Sequence, residues 1–124
     1  MRIPFEYAVI RIMPRIERGE LLNVGVILYC QQRDYLSVLT RLDPDRLLAL
    51  DPAADLGALR VALHGWETTC DGDTDAAVAR MKHGERFRWM VAPRSTIIQP
   101  GAVHMGLTEE PAAEHRRLLA ALVA

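Results

Sequence analysis

The first forty residues contain three stretches whose apolar and polar positions are typical of β-strands. Residues 5–13 alternate, residues 21–30 are strongly apolar, and residues 35–40 are again extended in pattern. The connections between them are short and polar, with Gly19 as the turn residue of the first and a polar turn at 31–34. Short connections favour antiparallel neighbours, so we predict a meander of three strands.

The middle of the chain changes to helical spacing. Asp43-Pro44 and Asp51-Pro52 each combine a capping side chain with a proline suited to the first helical turn. The apolar residues after the second pair recur at three- and four-residue steps and are Leu56, Leu59, Leu63 and Trp66. This spacing predicts a helix over 52–70, and a second main helix is predicted over 111–123, behind a cap at Thr108.

Two further stretches have the pattern of strands. Residues 86–91 alternate again, and residues 95–99 resume extended structure after a proline. The sequence therefore predicts an α+β fold in a single domain over 1–124. Its antiparallel sheet consists of the meander plus one or two later strands, packed by the two main helices. Trp66 and Trp89 are both expected to face the core.

Composition places outer limits on the kind of protein. The chain has 124 residues, of which 50% are hydrophobic, enough for one core. It has no apolar run of roughly 20 residues that could span a bilayer, and Glu6 and Arg11 interrupt any signal-peptide pattern. We therefore expect a cytoplasmic protein without a membrane segment. Cys30 and Cys70 are too few for a zinc cluster, and we expect both to be small buried hydrophobes.

Charge is distributed unevenly along the chain. The formal net charge is only −1, but residues 42–79 carry eight acidic side chains against two arginines, and residues 80–106 carry five basic side chains against one glutamate. This distribution predicts an acidic layer and a basic layer. The layers either face a partner or neutralise each other across their contact.

Side chains that can donate hydrogen bonds occur among the apolar residues of the stretch 86–111. Arg94, Ser95 and Thr96 combine a guanidinium fork with two hydroxyls after a proline break, a set that suits a phosphate or a carboxylate. Gln99 and His104 follow, and a turn between them could fold His104 back beside Arg94. The alternative is a structural role for both residues. Arg94 would stabilise its own loop by donating to carbonyls or to an acidic side chain, and His104 would be a hydrogen-bonded structural histidine.

A second polar pair lies in the meander. Asn23 and Gly25 share one face of the second strand, and Asn23 could pair with Arg11 on the neighbouring strand to extend a polar patch into the sheet. Gly25 indicates either a bulge or a close backbone approach. No metal-binding spacing such as HExxH is present, so we expect neither a metal nor a cofactor.

Several blocks of the sequence together resemble the bacterial domain of unknown function 3037 family. The blocks occur in the same order and at similar separations, and they are 7–11, 23–26, Trp89, 92–95, Gln99, 103–104 and 106–108. The resemblance implies a small cytoplasmic protein without an assigned activity. It also implies a partner, because members of that family are often encoded beside a HipA-like kinase-fold protein.

Three hypotheses for function remain open at this point. The first is a non-catalytic interaction module that binds a protein, for which a HipA-like kinase-fold partner is suggested by the resemblance. The second is a nucleotide or nucleic-acid binder, with phosphate contacts from Arg11, Arg15, Arg88 and Arg94 and base stacking on Tyr7 or Trp89. The third is a small enzyme in which His104 is the acid–base group and Arg94 holds an anion.

Overall fold

The computed structural model describes residues 1–94 and 96–123. Within these residues the strands are β1 (Ile3–Ile12), β2 (Leu22–Cys30), β3 (Tyr35–Thr40), β4 (Ile98–Pro100) and β5 (His104–Thr108). The helices are α1 (Pro44–Leu50), α2 (Leu56–Cys70), α3 (His83–Val91) and α4 (Pro111–Leu122), with 3-10 turns at Gln31–Arg33 and Ala77–Arg80. None of the helices described is long and apolar enough to cross a membrane.

The sheet is antiparallel and is built around β1. β2 pairs with one edge of β1, and β3 continues the sheet beyond β2. β4 and β5 share the other edge of β1, one after the other, so that Ile12 pairs with Ile98 and Ile3 pairs with Thr108. This arrangement confirms the predicted meander and the α+β fold. β5 is a strand that the apolar pattern does not predict.

Alternate residues of β1 serve two separate cores. Ala8, Ile10 and Ile12 are fully buried in a cluster that includes residues of α1, α2 and α3. Ile3 and Phe5 are buried on the opposite face, in a cluster that includes residues of α4. Because successive side chains of a strand point to opposite faces, the apolar run of β1 requires cover on both sides. The helices therefore form layers on both faces of the sheet.

Two helix boundaries differ from the prediction. Asp51-Pro52 lies in the turn after α1, and α2 begins later, at Leu56, with Asp55 as its N-cap. The Asp55 carboxylate accepts the Ala58 N–H at 3.0 Å. At α4 the N-cap is Glu110 and not Thr108. Several short polar side chains near each start could accept a first-turn N–H, and the sequence does not show which one has the extended backbone that a cap requires.

The predicted strand at 86–91 is wrong, because these residues lie in α3. Phe87, Met90 and Val91 are buried, at the i, i+3, i+4 spacing of one helical face. Trp89 lies on the other side with 46% of its surface exposed, so its predicted place in the core is also wrong. In a stretch of only six residues the alternating pattern and the helical pattern share most of their apolar positions.

Arg86 is a charged side chain on the buried face of α3, and backbone carbonyls accept its hydrogen bonds. Its Nε–H donates to the Val78 carbonyl at 3.2 Å, and Nη1 donates to Cys70 at 2.8 Å. Nη2 donates to the carbonyls of Ala79 and Met81 at 2.8 and 2.9 Å. Arg86 is only 7% exposed, and its partners among the described residues are all backbone carbonyls. The guanidinium thus ties the end of α2 to the connection that follows it.

The predicted irregularity in β2 is present and has two parts. The register with β1 shifts between Ile10 and Arg11, whose partners are Gly25 and Asn23, so one residue of β2 lies between the two pairs. A Cβ atom at Gly25 would lie 2.8 Å from the Leu39 carbonyl oxygen. Glycine is therefore required here by a close backbone approach from β3, directly beside the bulge.

Candidate functional site

An apolar groove of about 470 Å³ lies beside α2. We call it the α2 groove. Its apolar lining comes from one stripe of α2 and from the chain just before and within β4, and consists of Ala58, Leu59, Ala62, Trp66, Ile97 and Ile98. The small side chains of Ala58 and Ala62 leave the helix surface low, whereas Ile97 stands 46% exposed on the opposite wall. A contiguous apolar groove of this kind is typical of a binding surface.

Arg94 closes one end of the α2 groove. Its guanidinium carbon lies 5.4 Å from the centre of the Trp66 ring and 4.9 Å from that of Trp89. Nη2 donates to the Trp89 carbonyl at 2.7 Å, and Nε donates more weakly to Ala92 at 3.4 Å. Pro93 directs the chain away from α3, so that the side chain of Arg94 turns back over both indoles.

This geometry supports part of the structural alternative. Arg94 does bond carbonyls of its own loop, yet it is only half-buried and lines the groove. Among the described residues its contacts are aromatic faces and carbonyls, whereas Arg15, Arg88 and Arg117 each pair with a carboxylate. Arg94 therefore places a positive charge at the end of an apolar groove.

The other end of the α2 groove carries negative charge. The adjoining depression, of about 220 Å³, shares Ala58, Leu59 and Ile97 with the groove and is also lined by Asp51 and Asp55. Both carboxylates are fixed by capping hydrogen bonds, since Asp51 accepts an N–H of its turn at 3.0 Å and Asp55 caps α2. The groove thus has a cationic end and an anionic end with apolar walls between them.

Three of the predicted site residues form a row across the sheet. Arg11 lies opposite Asn23 on β2 and opposite Gln99 on β4 in the register of the sheet. Asn23 donates to the Leu122 carbonyl at 3.0 Å and so holds the end of α4. Gly101 packs against the guanidinium of Arg11, where a Cβ atom would come within 3.1 Å. The row joins the sheet to α4.

Gln99 and Thr96 serve the local fold through hydrogen bonds. The Gln99 amide donates to the Thr96 carbonyl at 2.8 Å, and the Thr96 hydroxyl donates to the Ile98 carbonyl at 2.5 Å. Thr96 also lines the α2 groove. Ser95, the third member of the predicted anion-binding segment, lies outside the described residues.

His104 lies on the opposite face of the sheet from Arg94. It is exposed on β5, and its ring packs against that of Tyr7, its partner on β1, at a centroid distance of 5.3 Å. Tyr7 packs with the cluster beneath α4, whereas Arg94 stacks on Trp66, which belongs to the other core. Arg94 and His104 therefore do not line a common site.

A buried histidine that is not among the predicted site residues links α4 to the sheet. His115 is fully buried, with Nε2 2.7 Å from the Val26 carbonyl and Nδ1 2.8 Å from the Tyr35 hydroxyl. Because a carbonyl only accepts, Nε2 carries the proton and Nδ1 accepts from Tyr35. Burial lowers the pKa of His115 and favours this neutral form. In the sequence, the spacing of His115 from the apolar residues Pro111 and Leu118 is the feature that could have indicated its burial.

Both cysteines are buried, as the sequence predicts. Burial raises the pKa of the Cys70 thiol to about 12, so the thiol stays protonated at neutral pH. Within the described part of the chain no three metal-ligating side chains come together. The α2 groove itself offers apolar contact, aromatic faces and the charges of Arg94, Asp51 and Asp55.

The comparisons with known proteins agree with the resemblance seen in the sequence. Residues 7–123 match the family model described as "Protein of unknown function (DUF3037)". No curated protein and no solved structure matches the chain. The matched range includes β2 to β5 and all four helices, and with them both walls of the α2 groove. The chain therefore belongs to the DUF3037 family.

Proposed function

We propose that this protein is an interaction module that binds a segment of a partner protein in the α2 groove. The observation that carries the proposal is the groove itself, an open apolar channel of about 470 Å³ with exposed Ile97 on its wall and Trp66 at its end. Trp89, which is 46% exposed, extends this apolar surface past Arg94. Exposed tryptophan side chains beside an arginine are typical of interface hot spots.

The shape of the groove favours a peptide segment over a compact ligand. From Asp55 to Trp66 the wall formed by α2 is about 16 Å long at 1.5 Å per residue. The groove stays open to solvent along this length and carries its charges at the ends. A small phosphate-bearing ligand needs several donors converging on one point, whereas Arg94 already uses donors on two carbonyls.

The other hypotheses stay predictions with less support. Arg88, a predicted phosphate contact, pairs with both carboxylate oxygens of Glu6 at 2.7 and 2.8 Å, and a phosphate would have to compete with that pair. An enzyme that uses Arg94 together with His104 would need them at one site, and they lie on opposite faces of the sheet. A HipA-like kinase-fold protein, which the sequence resemblance suggests, is the first partner to examine for a segment that fits the groove.

Selection from displayed peptides tests this proposal directly, because a random library samples many partner segments at once. A phage library of random 12-residue peptides is selected on the wild-type protein and on two variants, Ala62→Arg and Ala120→Arg. Ala62 lies in the groove and Ala120 lies on α4, and both are exposed alanines within helices, so each variant adds the same side chain at a matched position.

We expect peptides that bind the wild type and Ala120→Arg but lose at least about tenfold in affinity for Ala62→Arg. Both tryptophans of the chain, Trp66 and Trp89, lie at the Arg94 end of the groove, so their fluorescence reports binding there directly. Selected peptides that bind Ala62→Arg as tightly as the wild type, without changing this fluorescence, would contradict the proposal.

A further inference from the structure

The two walls of the α2 groove determine which kind of backbone can occupy it. On the α2 side the backbone N–H and C=O groups are bonded within the helix. On the other side the carbonyls of Thr96, Ile97 and Ile98 already accept hydrogen bonds from Gln99, Met13 and Thr96 respectively. Pro100, the last residue of β4, has no N–H to donate.

An extended segment in this groove would therefore find few backbone partners. Strand addition depends on a ladder of main-chain hydrogen bonds, and both walls offer side chains instead. A helix brings its own backbone hydrogen bonds and needs only apolar side-chain contact. The low surface at Ala58 and Ala62 permits the close interaxial distance, about 8–10 Å, at which two helices pack.

The charges at the two ends determine the direction of such a helix. Arg94 lies beside Trp66, toward the C-terminal half of α2, and Asp51 and Asp55 lie at its N-terminus. Helices favour acidic side chains in their first turn and basic side chains in their last turn. A partner helix that runs antiparallel to α2 therefore meets complementary charges at both ends, and a parallel one meets like charges at both ends.

Resting on the proposed function, we propose that the occupant of the α2 groove is an antiparallel amphipathic helix of a partner protein. It has about three turns, which match the 16 Å length of the wall. An acidic residue in its first turn pairs with Arg94, an apolar stripe covers Leu59 and Ile97, and a basic residue in its last turn pairs with Asp51 and Asp55.

Two matched peptide libraries test the direction. Both consist of 12-residue helical peptides with the same randomised apolar stripe, and they differ only in their end charges. One library has glutamates in the first turn and lysines in the last turn, and the other has the reverse. The wild-type protein should enrich the acid-first library at least tenfold over the reversed library.

Two variants assign the preference to its ends. Arg94→Glu should abolish or reverse the preference for glutamate in the first turn of the peptide. The double variant Asp51→Asn/Asp55→Asn should lose the preference for lysine in the last turn and keep that for glutamate in the first. Asparagine caps helices as well as aspartate does, so this variant removes charge while it retains the α2 cap.

The outcomes separate the two proposals. Equal enrichment of both libraries, lost in Ala62→Arg, would refute the antiparallel helix while the groove proposal stands. Unchanged preference in both charge variants would refute the charge pairing in the same way. If neither library yields a binder, the helical occupant is refuted, and the random-peptide selection then decides alone whether the groove binds peptides at all.

Discussion

Replacement of Arg86 by methionine is the sharpest test of how this fold is held together. The side chain is 7% exposed and donates to four carbonyls, those of Cys70, Val78, Ala79 and Met81. Methionine fills similar space without a donor. The substitution therefore leaves the end of α2 and the following connection without their common partner.

The loss in free energy of unfolding depends on which of the four carbonyls water can reach in the variant. The bonds to Cys70 and Val78 are buried, and those to Ala79 and Met81 are partly buried, so water can replace only the second pair. The Val78 carbonyl still accepts the Met81 N–H at 3.2 Å, so the Cys70 carbonyl is the buried acceptor left unpaired, at a cost of about 1–3 kcal/mol. Each of the other three lost hydrogen bonds costs about 1 kcal/mol. The variant regains part of the several kcal/mol spent in burying a cation. We expect the free energy of unfolding to fall by about 3 kcal/mol, a large share of the roughly 5–15 kcal/mol of a small domain.

Urea denaturation followed by circular dichroism measures this loss. With an m-value of about 2 kcal/mol/M the midpoint should fall by about 1.5 M. Arg88→Met is the matched control, two residues along the same helix, where the side chain is 58% exposed and pairs with Glu6. Its midpoint should move by no more than about 0.5 M, because exposed ion pairs contribute about 1 kcal/mol or less. Equal shifts for both variants would refute the structural role assigned to Arg86.

Three further predictions concern single side chains. Trp66→Ala should lower the free energy of unfolding by about 2–3 kcal/mol, because Trp66 packs on the core. Trp89→Ala should lower it by less than about 1 kcal/mol, because Trp89 is 46% exposed. Equal denaturation midpoints for the two variants would contradict this difference. Burial lowers the pKa of His115 in the folded state, so its contribution to stability is complete above the unfolded pKa of about 6.5 and is lost as the pH falls below it. Thermal unfolding between pH 5 and pH 7.5 should show this loss in the wild type and a flatter profile in His115→Gln, and identical profiles would exclude the histidine as the cause. The Cys70 thiol is buried and has a pKa of about 12, so it should react with a thiol reagent at pH 8 only after the protein is unfolded in urea. The reaction is measured in a Cys30→Ser variant, in which Cys70 is the one remaining thiol. Rapid reaction of the native variant would show that Cys70 is accessible.

The sheet could be predicted from the sequence where a strand had a period-two pattern or a continuous apolar run and was joined to the next strand by a short turn. β1, β2 and β3 satisfy both conditions, and their bounds lie within two residues of the prediction. β5 could not be predicted, because Gly106 and exposed side chains interrupt any apolar pattern. Its order depends on pairing with β1 through residues about a hundred positions earlier, where the ring of Phe5 packs on Gly106.

α3 shows why local patterns fail at a buried charge. Sequence pattern alone places Arg86 on a polar face, because its partners are backbone carbonyls that any residues could supply. The same limit applies to the candidate site. Its residue type alone makes Arg94 a candidate, whereas the two tryptophan rings that hold it come from different helices. Which sheet face His104 occupies depends on the register of β5, which no residue near it reveals.

The position of β1 in the sheet has a consequence for how the chain folds during synthesis. Of the five strands described, β1 is made before the others, and within the described residues its second edge is covered by β4 and β5, which begin at Ile98 and His104. Until those residues leave the ribosome, the nascent chain presents an apolar strand with one row of unpaired N–H and C=O groups. The second edge of β1 is therefore completed late and through contacts of high sequence separation, which slow folding. Until then the exposed edge is a surface on which another chain can pair.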